Sequence, residues 1–372
     1  MLVTVLLQYR LLRRYLESDA IRKKPHRREL AIAAFGLSCL LLLAGVAAAV
    51  NRLAPYYPPR AATWLHAAAL AWMICTVSGY FLFHLVSLRP VNPARRRFLQ
   101  GALGIGAAAP VAVAGYGVFV ERADLRFTEI DIPIPGLPKD LQGLRIGQIT
   151  DIHLGPFLDR AELDRAVSLL NESKPHVMVV TGDLISRRGD PLDDCLQSLS
   201  RLRSDAGTFG CLGNHERYAR AEDYSARAGE RLGIRFLRRS TALLRFGQND
   251  LNLAGSDYEM MRRVKSAYLR NARRLIVPGA LNVLLQHNPD VFPRAAEEGF
   301  ALTLAGHTHG GQVNIEILHE DWNVARFYTE YTAGLYRLGG SAIYVNRGLG
   351  TIGVPVRVGA PPEVAVIRLC AA

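Results

Sequence analysis

Five short motifs, each placed just after an apolar stretch, constrain this 372-residue chain more than any other feature. In order they are Asp151-Ile152-His153, Gly182-Asp183, Gly213-Asn214-His215-Glu216, His287 and Gly306-His307-Thr308-His309. Short apolar stretches read as strands, so side chains that want water fall where strands stop. Five of the ten histidines occupy these few positions. A packed core has no use for that arrangement, whereas a site for two metal ions does. Singly, each motif has a bland alternative: Asp-x-His occurs on surface turns, and Gly-Asp ends many strands. Their joint presence and order select the metal reading.

The residue types suit that chemistry. Two divalent cations about 3.5–4 Å apart need a ligand that bridges them, which a carboxylate can do with its two oxygens. Asp183 is the natural bridge. Neutral imidazoles suit transition metals, and carboxylates add negative charge. Asn214 can supply an uncharged amide oxygen, keeping the site cationic enough to attract phosphate. On an extended strand His307 and His309 would point the same way. The flanking Gly306, Gly310 and Gly311 instead permit a loop that sends them to different ions.

Motifs of these types in this order resemble the calcineurin-like metallophosphoesterase superfamily. The run Gly306-His307-Thr308-His309-Gly310-Gly311-Gln312 is similar to that of its membrane-associated YkuE/YaeI-type phosphodiesterase branch. So is the tail of Asn346-Arg347-Gly348-Leu349-Gly350, Pro355-Val356-Arg357 and Pro361-Pro362-Glu363. The resemblance covers about residues 125–370. It implies an α/β sandwich of two mixed sheets flanked by helices. It also implies that Asp151, His153 and His309 hold a first metal, that Asn214, His287 and His307 hold a second, and that Asp183 bridges them. His215 would face the phosphate, protonating the leaving oxygen or stabilising the transition state. Glu216 stands where many relatives carry Asp. The implied cofactors are two divalent ions, with Mn, Fe and Zn all compatible. Such ions would activate water for attack on phosphorus and neutralise charge on the phosphate. Arg347 and Arg357 are either substrate contacts or ordinary surface arginines.

Local patterns agree with an α/β fold. Residues 144–150 and 177–181 read as strands ending at the first two motifs, and 281–286 and 301–305 as strands ending at the last two. Residues 159–171 carry Leu163, Val167 and Leu170 at helical spacing, with Asp159 as N-cap. Residues 191–202 read as a second amphipathic helix, and 243–252 as a hairpin. A β–α–β–α–β opening implies parallel pairing, with ligand groups beyond the strand carboxyl ends.

The first third differs in kind. Residues 31–50 and 61–88 hold no charge over 20 and 28 positions, and each run is long enough to cross about 30 Å of hydrocarbon. Residues 1–122 contain 15 Lys and Arg against 4 Asp and Glu, while 123–372 contain 30 against 29. The net charge of +12 thus reflects basic membrane flanks and does not indicate nucleic acid. The expected organisation is a basic cytoplasmic N-terminus at 1–30, a helical transmembrane region at 31–120, a spacer or edge strand at 121–143 and a catalytic domain at 144–372. Within the membrane region, Arg95-Arg96-Arg97-Phe98-Leu99 resembles a twin-arginine export signal, so 98–120 is either a third span or a cleaved signal. The positive-inside rule then puts the catalytic domain on the periplasmic or exterior side of the inner membrane. Three cysteines beyond residue 121 allow at most one disulfide.

These features lead to a membrane-anchored phosphoesterase, with the lipid bilayer and a phosphate ester, lipid-linked or not, as partners. Diester cleavage is favoured over monoester. One rival is the UDP-2,3-diacylglucosamine pyrophosphatase of lipid A synthesis, whose cytosolic substrate conflicts with an outward domain. The other is a metal-stabilised, membrane-tethered binding module.

Overall fold

The computed structural model describes residues 1–17, 24–50, 59–87, 112–259, 268–314 and 323–372. They form two compact units, Met1–Val118 with Gly353–Pro355, and Phe119–Ile352 with Val356–Ala372.

In the first unit helices span Leu2–Glu17, Pro25–Val50 and Pro59–Ser87, and residues 112–119 are also helical. Among the described residues, Pro25–Ala47 is the helix long and apolar enough to cross a membrane. The second expected crossing falls on Pro59–Ser87, whose apolar described stretch is Ala61–Val77. Residues 88–111, which include the twin-arginine-like motif, lie outside the described residues. The basic N-terminus contributes more than charge, because Gln8 of its helix joins a polar ladder between the three helices. Trp72 Nε1 donates to Ser38 Oγ (2.5 Å), Ser38 Oγ to Gln8 Oε1 (2.7 Å) and Gln8 Nε2 to Thr76 Oγ1 (2.9 Å). A Cβ added to Gly45 would overlap Ala69 Cβ, so the glycine lets two helices approach closely.

The second unit stacks two six-stranded sheets. One has the order β1 (Arg126–Ile134), β12 (Glu363–Ala371), β2 (Arg145–Ile149), β3 (Val177–Thr181), β4 (Thr208–Cys211), β5 (Ile234–Phe236). The other runs β10 (Gly334–Leu338), β11 (Ser341–Val345), β9 (Leu302–Ala305), β8 (Leu281–Leu285), β7 (Asn249–Gly255), β6 (Ser240–Phe246). Both mix parallel and antiparallel pairs: β2 to β5 run parallel while β12 opposes β2, and β7 to β9 run parallel with an antiparallel β6. The expected hairpin is β6–β7. The proline-bearing segment after residue 121 supplies β1, an edge strand paired in parallel with β12. Pro133 is tolerated there because an edge leaves one side of the ladder open.

Strand periodicity explains the layers. In β3, Val177 and Val179 join the core between the sheets, whereas Met178 and Val180 join a second cluster with Leu163, Val167, Leu196 and Leu199 of the helices. Successive side chains face opposite ways, so a strand covered on both sides must be apolar throughout. The helices on that face include Arg160–Glu172, Leu192–Leu199 and Glu222–Arg231. Asp159 caps the first in a reciprocal box with Glu162, each carboxylate accepting the other's N–H at 2.9 Å, as the sequence predicts. All five cysteines are free thiols.

The two sheets are stitched at the carboxyl ends of their central strands. Buried Gln148 of β2 donates from Nε2 to Ala305 O of β9 (3.0 Å) and to Thr181 Oγ1 of β3 (2.9 Å). That edge is where all five motifs lie.

Candidate metal centre

Each motif leaves a strand end and turns sharply. Asp151, His153, Asp183, His307 and His309 have left-handed φ angles of 48°, 49°, 54°, 76° and 52°. Such conformations cost about 1–3 kcal/mol each in non-glycine residues and persist where neighbours over-determine them. Here the neighbours are hydrogen bonds. His307 N–H donates to both oxygens of Asp151 (3.0 and 2.9 Å), His153 N–H to Asp183 O (3.1 Å) and Asp183 N–H to Glu216 Oε2 (3.0 Å). Crowding leaves no room for side chains between them. A Cβ on Gly213 would fall on Asp183 Oδ1, and one on Gly306 would fall on Asp151 Oδ2.

Among the described residues three overlapping groups of donors result, one of them His153, Asp183 and His215. Asp151, His153 and His309 place one ligand atom each within 4.8 Å of one another, and so do Asp183, His287 and His307. Asp183 Oδ2 lies between them, 3.6 Å from His153 Nε2 and 3.0 Å from His287 Nε2. His309 Nε2 is 3.2 Å from His153 Nε2 and 3.5 Å from Asp151 Oδ1. The other nitrogens are occupied elsewhere: His287 Nδ1 donates to Thr181 O (2.7 Å), and His153 Nδ1 meets Ser186 Oγ (3.0 Å). This leaves each Nε2 turned inward, as bonding at the far nitrogen does for metal-binding imidazoles.

Burial decides protonation. It pushes His153 and His307 down to about 3 and His309 well below its ordinary value, so all three offer lone pairs at neutral pH. His287 goes the other way. Burial would depress it, but the Asp183 and Asp151 carboxylates outweigh burial and push it up to about 10. Burial raises Asp151 to about 6, whereas the charge of His287 overcomes burial and holds Asp183 well below the usual carboxylate range.

The residues fit divalent cations. Buried His287 Nε2 and Asn214 Oδ1 have no hydrogen-bond partner among the described residues, although buried polar atoms normally have one. His287 Nε2 lies 3.0 Å from Asp183 Oδ2, close enough for both to face one cation. Asn214 sits between Gly213, whose N–H goes to Glu216 (2.8 Å), and His215, whose N–H goes to Asp183 Oδ1 (2.9 Å). His215 also lies within 4.8 Å of the His153 and Asp183 ligand atoms. Its Nδ1 meets Ser186 O at 2.6 Å, leaving Nε2 for another partner.

Residues 144–311 match the family described as calcineurin-like phosphoesterase. The chain is 31% identical over 290 residues to the uncharacterized metallophosphoesterase YkuE of Bacillus subtilis, an alignment covering 74% of this chain and 97% of that one. It belongs to the calcineurin-like metallophosphoesterase family. This metallophosphoesterase is also 28% identical over 285 residues to the phosphodiesterase YaeI of Escherichia coli, covering 74% and 99% of the two chains. With a transmembrane protein with metallophosphoesterase domain from Danio rerio it shares 30% identity over 287 residues, 73% of this chain and 63% of that protein. The metallophosphoesterase is therefore a metal-dependent hydrolase of phosphoric ester bonds.

Arg357 corrects both readings of the sequence. It is fully buried, which excludes a surface arginine, and its N–H groups are turned inward. They donate to Ala360 O (2.8 Å), Arg347 O (3.0 Å), Gly348 O (2.9 Å) and Gly350 O (2.5 Å), with Nη2 3.4 Å from His309 Nδ1. Arg347 is half-buried and pairs with Glu363 at 3.3 Å. Sequence reasoning missed two aromatics. Exposed Tyr218 lies 5.5 Å from His215, ring to ring, and Tyr258 lies 5.5 Å from His307. Tyr218 was findable, three residues after His215 on one helical face. Tyr258 follows no motif and gave no signal.

Proposed function

We propose that this metallophosphoesterase is a membrane-anchored phosphodiesterase using two divalent ions, Mn, Fe or Zn, on a phosphate ester at the membrane surface. The observation that carries the reading is Asp183 Oδ2, which stands between two groups of imidazole and carboxylate donors. Asp151, His153 and His309 would hold one ion, Asn214, His287 and His307 the other, and Asp183 would bridge them. When bound, such ions supply Lewis-acid polarisation of phosphate oxygens and a lowered pKa for water.

The chain's own groups do the rest. His215 Nδ1–H donates to Ser186 O, which fixes the ring and leaves Nε2 to give a proton to the leaving oxygen. The His215 backbone N–H holds Asp183 Oδ1, so Oδ2 stays turned toward His153 and His287. Exposed Tyr218 beside His215 gives the leaving group an aromatic wall.

Anchoring is supported by Pro25–Ala47, long and apolar enough to cross a bilayer, and by relatives named transmembrane proteins. Basic residues before that helix favour a cytoplasmic N-terminus, and a topology reporter fused after residue 372 tests which side the catalytic unit occupies. The activity is tested with the full chain in detergent, stripped of metal and assayed on bis-p-nitrophenyl phosphate and p-nitrophenyl phosphate with and without Mn. Metal-dependent turnover that prefers the diester, and is lost in Asp183→Asn, supports the reading. No turnover with any divalent ion overturns it.

A further inference from the structure

Beside the His307–His309 loop the chain displays large apolar side chains to solvent. Phe327 is 82% exposed, Tyr328 65%, Val324 49% and Ile352 40%. Isolated exposed apolar residues are ordinary. These are grouped on two segments that flank the same stretch, Gln312-Val313-Asn314, immediately after the metal-binding loop. Val324 N–H donates to Val313 O, and Asn323 bridges to Asn314. On the other side the Gln312 amide grips Ile352 at two points, Nε2 donating to its O (3.1 Å) and Oε1 accepting from its N–H (2.9 Å).

Both segments are fastened rather than loose. The turn Val324–Phe327 is capped by Asn323, whose Oδ1 accepts Ala325 N–H (2.9 Å) and whose Nδ2 donates to Gly310 O (3.2 Å). Ala325 is buried beneath it. Just beyond, Thr329 Oγ1 donates to Asp290 Oδ1 (2.6 Å), and the Tyr331 ring packs edge-on against Phe292. A segment held at both ends thus presents Phe327 and Tyr328 to solvent, with exposed Arg326 between Ala325 and Phe327. Keeping such rings in water is unfavourable unless something covers them.

We propose that Val324, Phe327, Tyr328 and Ile352 form a bilayer-docking face that brings the adjoining His307–His309 loop to the lipid headgroup layer. The inference rests on the membrane-anchored reading above and deepens it. The occupant is a phospholipid surface for two reasons. The same chain carries an apolar helix of bilayer-spanning length, which keeps the catalytic unit within reach of lipid. A Phe and a Tyr side by side on one turn also match the interfacial zone, where aromatic rings sit at headgroup level. Because this face adjoins the His307–His309 loop, the ester it delivers is a phosphodiester within a lipid headgroup.

The test uses the full chain in vesicles of phosphatidylcholine and phosphatidylglycerol. Cys39, Cys75 and Cys370 are replaced by Ser, and Phe327→Cys carries an environment-sensitive fluorophore; Cys195 and Cys211 are buried. Blue-shifted emission, quenched by spin labels on lipid acyl chains and protected from aqueous iodide, is expected. The same label at exposed Gln248→Cys, on the β6–β7 turn away from the strand carboxyl ends that carry the motifs, should stay in water. Iodide-accessible emission from position 327 overturns the proposal. So does emission shielded from both quenchers, which would mean a protein partner such as a second copy. As a kinetic check, Phe327→Asp with Tyr328→Asp should slow cleavage of a vesicle-borne phosphodiester by about tenfold or more, since burial of two rings is forfeited. Turnover of bis-p-nitrophenyl phosphate should be unchanged. Equal loss on both substrates, or on neither, overturns the docking role. A full chain that fails to partition into vesicles at all would instead sink the membrane-anchored reading beneath it.

Discussion

The carboxylate of Glu216 accepts the backbone N–H of Asp183 at 3.0 Å. It also takes the N–H groups of Leu184 (2.8 Å) and Gly213 (2.8 Å), so one buried side chain fixes the strand ends that carry the second and third motifs. Burial pushes its carboxyl up to about 7, while the N–H groups directed at it favour the ionised form. Glu216→Gln turns an NH2 toward donors that need an acceptor. An unsatisfied buried group costs about 1–3 kcal/mol, so a lower Tm and reduced metal content are expected, read by thermal unfolding and elemental analysis. Unchanged metal content at reduced Tm would confine Glu216 to folding.

Arg357 plays the corresponding part for the C-terminal loop. Hydrogen bonds to a charged donor are worth roughly 1.5–3 kcal/mol each, and Arg357 gathers four carbonyl oxygens. Arg357→Met should therefore lower Tm strongly and weaken metal retention, because the loop it gathers also binds back to Asp151 through Gly350 N–H (2.7 Å). Arg357→Lys, with a compact three-donor head, should fall between. A substrate contact would behave differently, raising KM while leaving Tm unchanged, and measuring both quantities separates the roles.

The contrast between these residues shows what a sequence can disclose. The strands ending at residues 149, 181, 285 and 305 are legible because apolar runs stop where Asp, His and Gly begin. The five motifs were legible from their residue types and order, and the fold brings their His and Asp side chains together. Arg357 was not, since nothing in Pro355-Val356-Arg357 distinguishes a guanidinium facing carbonyls from one facing water. That difference is made by Gly348, Gly350 and Ala360, brought around it by tertiary folding. The left-handed φ angles at Asp151, His153, Asp183, His307 and His309 were equally hidden. Local propensity would place glycine there, and only the ring of hydrogen bonds across both sheets holds non-glycine residues in that conformation. The first unit was read from hydropathy and charge, which cannot reveal the Gln8, Ser38, Trp72 and Thr76 ladder because those contacts join three separate helices.

Metal uptake should release protons. Without metal, His287 keeps its proton up to about 10 because Asp183 and Asp151 outweigh burial, whereas His153 and His307 are neutral down to about 3. A raised histidine pKa contributes stability that is present below its unfolded value of about 6.5 and is lost as pH rises through about 10. A cation beside the same carboxylates takes over that contribution and expels the proton. Calorimetric titration of stripped protein with Mn near neutral pH, in buffers of different ionisation heat, should show about one proton released. Release should fade as pH passes about 10 and rise below about 6, where Asp151 is also protonated. Proton release that stays constant across this range would contradict the charge assignment.

His215 can be separated from the ligands by its dependence on leaving group. It lies within ligand distance of His153 and Asp183, yet its Nδ1 is bound to Ser186 O at 2.6 Å. A proton donor matters when the departing oxygen is basic and little when it is already a stable anion. His215→Gln should therefore cut kcat by roughly 10²–10⁴-fold for an alkyl phosphodiester and far less for a p-nitrophenyl ester, with metal content unchanged. A ligand would show the opposite pattern: metal content would fall, and both substrates would lose activity together. Elemental analysis beside paired kinetics on the two esters decides between proton transfer and coordination at this histidine.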